Sequence, residues 1–110
     1  LETGVWRPGD AARLFGPARD SPLLALEAAT RAEPGDAALW ADRGAAALAY
    51  ARPADAAVSF SAVLALRPDL WHALVWRGRA YYEANDFPRA RADLDAALAR
   101  APDDVAALVL

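Results

Sequence analysis

Proline stands at positions 34, 68 and 102 of this 110-residue chain, 34 residues apart each time. Other residues keep the same register. Arg43-Gly44 recurs as Arg77-Gly78, Ala56 as Ala90, and Phe60 as Leu94. The stretch from Ala62 to Asp69 corresponds residue for residue to the stretch from Ala96 to Asp103. A fixed period of this size, held over three prolines, marks a stack of repeated units, because one unit cannot bury its apolar face alone and needs a neighbour.

Each period reads as two helices. Asp36 and Asp69 are suited to cap the first helix of a unit, and about 14 proline-free residues follow. The turn to the second helix falls at Arg52-Pro53 in one unit and at Asn85 to Pro88 in the next. Asparagine tolerates the left-handed conformation that ends a helix, and proline suits the start of another. Apolar residues at Ala57, Phe60, Val63 and Leu64, and again at Ala90, Leu94, Ala97 and Leu98, share one helical stripe. The spacing predicts helices near 22–33, 37–50, 54–66, 71–84 and 88–100, with no sheet. Gly44 and Gly78 fall mid-helix, where glycine costs about 1 kcal/mol relative to alanine. Close approach of a neighbouring helix would account for them.

Composition narrows the function classes. Hydrophobic residues make up 56% of the chain, largely alanine, which favours closely packed helices over strands. With no cysteine there is no disulfide framework, thiolate nucleophile or thiolate metal site. The formal net charge of −3 argues against a general nucleic-acid binder, which needs a basic stripe. No run reaches the roughly 20 apolar residues that span a bilayer, and no basic segment followed by an apolar one announces a secretory signal. Every basic side chain other than the single histidine is arginine, and lysine and glutamine are absent. We read that as a GC-rich, bacterial coding bias without mechanistic meaning. No compartment is legible, cytoplasm and periplasm fitting equally.

At Leu74, Gly78, Tyr81, Ala90, Leu94, Ala97 and Pro102 the chain resembles the signature of the tetratricopeptide repeat family. The preceding unit matches at Trp40, Gly44, Ala56, Phe60 and Pro68, and departs from it at Ala47, where the family usually has an aromatic residue. The resemblance implies an all-α fold: a right-handed α–α superhelix, or solenoid, of antiparallel helix pairs with a 34-residue period. It divides the chain into complete repeats at 37–70 and 71–104. Residues 21–36 form the second helix of an incomplete repeat, and residues 1–20 a cap or degenerate first helix. Residues 105–110 form the start of a further, truncated helix.

The resemblance also implies an adaptor without catalysis, holding a peptide or helix of a protein partner in a concave groove. The family's groove positions fall on Ala38, Ala41, Ala45 and Leu48 of the first complete unit, and on His72, Val75, Arg79, Tyr82 and Glu83 of the second. Of the basic groups with which some members grip a C-terminal carboxylate, only Arg79 is present, so a clamp of that kind is not expected. A groove with an apolar half and a polar-aromatic half suits small apolar anchors instead.

Sharper chemistries fare poorly. His72 lies between Trp71 and Trp76, but residues five apart on a helix point about 140° away from each other, which excludes a simple two-tryptophan sandwich. A catalytic histidine also needs a nucleophile or an orienting carboxylate. Glu83, Asp86, Asp93 and Asp95 lack the spacing of a calcium loop and read as a solvated face. Arg77, Arg79, Arg89 and Arg91 are interleaved with acids, so they read as surface charge. Arg77 is placed to pair with Asp93, whereas Arg43 has Ser59 at the corresponding position and must find another acceptor. No cofactor, metal, nucleic acid or membrane insertion is expected. Two other roles compete with the adaptor: self-association into a homo-oligomer through open helical ends, or service as the non-catalytic arm of a larger enzyme or sensor.

Overall fold

The computed structural model describes residues 23–104. They form five helices: α1 (Leu23–Ala32), α2 (Ala37–Ala49), α3 (Pro53–Leu66), α4 (Trp71–Glu83) and α5 (Phe87–Arg100). Each boundary lies within a residue of the expected one, and there is no strand among the described residues. Residues 102–104 open a further helix. The expectations for residues 1–20 and 105–110 fall outside the described residues.

The helix ends follow from a few side chains. Asp36 caps α2, its Oδ1 accepting from the backbone N–H groups of Ala38 at 3.0 Å and Leu39 at 3.3 Å. Asp69 does not do the same for α4. The N-cap there is Leu70, without a side-chain bond, and the Asp69 carboxylate lies 4.0 Å from Arg67 Nε instead. The period explains the difference, since Asp36 corresponds to Leu70 and Asp69 sits one residue too early.

The turns after α2 and α4 are alike. Arg52 N donates to Ala47 O at 2.8 Å and Ala51 N to Leu48 O at 3.1 Å; Asp86 N donates to Tyr81 O at 2.8 Å and Asn85 N to Tyr82 O at 3.0 Å. This pair of bonds is the Schellman arrangement, which satisfies the last carbonyls of a helix by turning one residue left-handed. That residue is Asn85 (φ 64°) in one turn and Ala51 (φ 57°) in the other. Pro53 and Pro88 then start α3 and α5, where a missing N–H costs nothing.

The helices pack in chain order, each on the one before it. The main core runs from Leu23 and Leu26 of α1 through Leu39 and Ala46 of α2 and Phe60 and Val63 of α3 to Trp76 of α4. Phe60 and Trp76 are its largest members, with ring centroids 5.8 Å apart at a tilt of 46°. A second cluster gathers Val75 and Ala97 with Trp71, Leu74, Leu94 and Leu98 around them. Both mid-helix glycines allow close approach. A Cβ on Gly44 would lie 2.7 Å from ring carbons of Phe60, and one on Gly78 would lie 3.3 Å from Ala90 O and Leu94 Cγ. The helix-propensity cost of each glycine is therefore offset by the packing of α3 on α2 and of α5 on α4.

Candidate functional site

The candidate residues come from α2 and α4, and the structure separates them into two groups. Ala41, Ala45 and Val75 are buried. Ala41 and Ala45 belong to the main core and Val75 to the second cluster, so they do not offer the apolar anchor surface expected of them. Small side chains reach only a short way from the backbone, and the longer ones around them close over them. Ala38 and Leu48 are half-buried, Leu48 being packed against the main core. The remaining surface belongs to α4: His72 and Arg79 are half-exposed, Glu83 is exposed, and Tyr82 is 60% exposed.

Arg79 and Glu83 answer each other. Arg79 Nε donates to Glu83 Oε1 at 3.1 Å, one helical turn along, with over a third of each side chain in water. Pairs of this kind contribute about 0.3–0.5 kcal/mol, so Arg79 and Glu83 hold each other only weakly. Beside them Tyr82 meets Phe87 edge-on, with centroids 5.4 Å apart, and Phe87 is itself 52% exposed. Phe87 is outside the groove positions that the resemblance implies, although Asn85-Asp86-Phe87 belongs to the stretch that carries the resemblance. In the corresponding turn of the preceding repeat its place is taken by Pro53.

The imidazole of His72 stacks on Trp71 at 3.7 Å and 21°, and meets Trp76 tilted at 5.9 Å. It therefore touches both indoles, the adjacent one by rotamer and the other because residues four apart share a helix face. The second contact is tilted, so no parallel sandwich forms. Its Nδ1 is buried and has no hydrogen-bond partner. Burial pushes the His72 pKa below its ordinary value, and the Asp104 carboxylate opposes that shift only in part. The indoles orient the ring, and no carboxylate or carbonyl meets its Nδ1 as in a base-and-orienter pair.

The acids and arginines pair off. Arg77 makes a bidentate contact with Asp93, Nε to Oδ2 and Nη2 to Oδ1 both at 2.8 Å, while its Nη1 donates to Ser61 Oγ at 3.1 Å. The bond to Asp93 raises the Arg77 pKa, so the guanidinium stays charged in its half-buried site. Asp86 lies 3.5 Å from Arg89 and Asp95 3.8 Å from Arg91. Arg43 donates instead to Thr30 Oγ1 of α1 at 2.9 Å and lies 5.1 Å above the Trp40 ring. Ser59, at the position of Asp93, bonds back to Asp55 O at 3.1 Å. Among the described residues no group of three or more metal-ligating side chains comes together, and no helix is long and apolar enough to cross a membrane.

A further concavity lies beside the end of α4. It is an open cleft of about 410 Å³ between α3 and the α4–α5 turn, lined by Ala54, Ala57, Val58, Tyr81, Ala84 and Arg89 among others.

No curated protein and no solved structure is similar enough to this chain to match it. A family model does match, that of the tetratricopeptide repeat, over residues 47–109. Such repeats are generally protein–protein interaction modules, and the family is typically non-catalytic. With more than half of its length matched and only helices among its described residues, the chain belongs to the tetratricopeptide repeat family.

Proposed function

We propose that the chain binds a peptide segment of a protein partner along the α4 side of a concave groove, without chemistry of its own. The observation that carries this reading is the cluster of Arg79, Tyr82 and Glu83. An ion pair in water and a ring 60% exposed contribute little to packing, yet they stand together on one helix face. The burial of Ala41, Ala45 and Val75 changes the ligand: an aromatic or proline ring against Tyr82, with a carboxylate for Arg79, replaces the small apolar anchors. Leu48 and His72 form the flanks of this surface, and Ala38 the far wall.

The groove belongs to a right-handed superhelix of two complete repeats, 37–70 and 71–104, preceded by the second helix of an incomplete one. The spacing of the helix starts supports the 34-residue period: α4 begins 34 residues after α2 (71 − 37) and α5 34 after α3 (87 − 53). The test is selection of binding peptides from a random library on the full chain, followed by affinity measurements with Tyr82→Ala. A tenfold loss is expected, since stacking of an exposed aromatic and its buried area are both removed. Binding unchanged by that substitution would place the contact elsewhere.

A further inference from the structure

His72 bridges the two core clusters. Its ring centroid lies 3.7 Å from that of Trp71, which packs on the second cluster, and 5.9 Å from that of Trp76, which belongs to the main one and is 2% exposed. Its Nδ1 is buried without a hydrogen-bond partner. A neutral imidazole carries one proton, on either nitrogen, and here that proton is assigned to Nε2, because a buried donor without an acceptor is rarer in proteins than a buried acceptor without a donor. An imidazolium has no such choice. It carries N–H on both nitrogens, so in this slot it sets an unmatched donor and a positive charge where water does not reach. Its position adds to the cost, since His72 is the second residue of α4 and the positive end of the helix dipole repels a cation there. The indole face of Trp71 attracts a cation, but it supplies no acceptor for Nδ1. Outside the slot the balance is different. Asp104 is exposed in the helical turn that opens at 102, and its carboxylate favours the charged ring.

We infer that His72 is a proton-operated latch: neutral, its ring closes against Trp71 and Trp76 and joins the two clusters; protonated, it swings out of that slot to pair with Asp104. The other charges near this end of α4 are engaged elsewhere. Arg67, which follows α3, lies 4.0 Å from Asp69, and Arg100 of α5 donates to Pro68 O at 2.8 Å and to Asp69 O at 3.3 Å. On α4 itself Arg77 is held by Asp93 and Arg79 by Glu83. The movement is a change of side-chain rotamer, so the helices stay in place while it occurs. Its effect is local. In acid the two clusters lose their aromatic bridge, and the helix that opens at 102 gains an ion pair to the first turn of α4. Tyr82 and Glu83 stand in the last turn of α4, so the latch is separate from the peptide contact proposed there.

The test is nuclear magnetic resonance of the single histidine in the full chain, its ring C–H signals being followed between about pH 4.5 and 8. At the upper end the ring protons are expected upfield of those of free histidine, because they lie over an indole, with cross-relaxation to the Trp71 ring. As pH falls they move to the positions of a solvated imidazolium, and the contact with Trp71 gives way to one with the Asp104 methylene. The midpoint falls below the ordinary histidine value of about 6.5. Asp104→Asn, at an exposed position, lowers the midpoint further. Tryptophan emission changes with the same midpoint in the wild-type chain and is flat in His72→Phe, while circular dichroism stays constant in both. A contact with Trp71 that persists in the protonated ring overturns the inference, because the indole then holds the cation in place. A midpoint at or above about 6.5, no response to Asp104→Asn, or loss of helix over the same range overturns it as well.

Discussion

Asp93 Oδ1 and Oδ2 each accept from Arg77 at 2.8 Å, which ties helix α5 to helix α4, while the third arm of the guanidinium reaches Ser61 on α3. One side chain thus joins three consecutive helices. Asp93→Ala leaves a half-buried cation with the serine alone, and hydrogen bonds to charged groups are worth about 1.5–3 kcal/mol. A stability loss of that order is expected in urea unfolding, with a smaller loss for Asp93→Asn, which keeps one acceptor. Equal stability of wild type and Asp93→Ala would show that solvent replaces the pair.

Gly44 and Gly78 occupy corresponding positions but tolerate a methyl group differently. A Cβ at Gly44 meets the ring of fully buried Phe60 at 2.7 Å, and the core around that ring leaves it no room to withdraw. Overpacking of this kind costs about 1–3 kcal/mol, more than the gain of about 1 kcal/mol in helix propensity. At Gly78 the contacts are 3.3 Å or longer, and the two effects nearly cancel. Thermal melts should therefore rank Gly44→Ala clearly below wild type and Gly78→Ala close to it; the reverse order would refute the packing account.

Ala51 pays for a left-handed turn that asparagine adopts readily in the next repeat. The left-handed region costs a residue with a Cβ about 1–2 kcal/mol, and glycine gives back part of any gain as chain entropy. Ala51→Gly and Ala51→Asn should each stabilise the chain by roughly 0.5–1 kcal/mol, and Asn85→Ala should destabilise it by a similar amount. A loss of stability in Ala51→Gly would mean that the methyl group packs.

Protonation of His72 couples folding to pH. Its pKa in the fold lies below the ordinary value because the ring is desolvated. The unfolded chain therefore takes up the proton first as pH falls below about 6.5. Stability is present in full above that pH and is lost as pH falls toward the lowered pKa, since stability rises with pH wherever the unfolded state binds more protons. His72→Phe keeps a ring between the indoles and removes the titration. Its urea midpoint should vary less than that of wild type between pH 5 and 7; parallel profiles would remove His72 from the linkage.

Much of this fold is legible in the sequence because its signals are local. Prolines at 34, 68 and 102, Asn85, and the cap at Asp36 act through their own backbone geometry, and the helix boundaries follow from them. Asp69 does not cap α4, because one residue of register decides which side chain reaches the free N–H groups. The candidate site is less legible. Helical periodicity places Val75 on one row with Arg79 and Tyr82, and the family resemblance adds Ala41 and Ala45 from α2, but burial depends on what lies over these positions, and a one-dimensional pattern does not contain it.

The central claim is that the Arg79–Tyr82–Glu83 face of α4 is the contact surface for a peptide. It is tested most directly by titrating one library-selected peptide against the wild-type chain, Arg79→Ala, Tyr82→Ala and the outer-face control Ala92→Asp. The account predicts a dissociation constant raised about tenfold by each of the first two substitutions, in line with the loss of a hydrogen bond to a charged group or of an aromatic contact, and unchanged by the third. Full affinity in both α4 variants, with binding lost in Ala92→Asp, would contradict it.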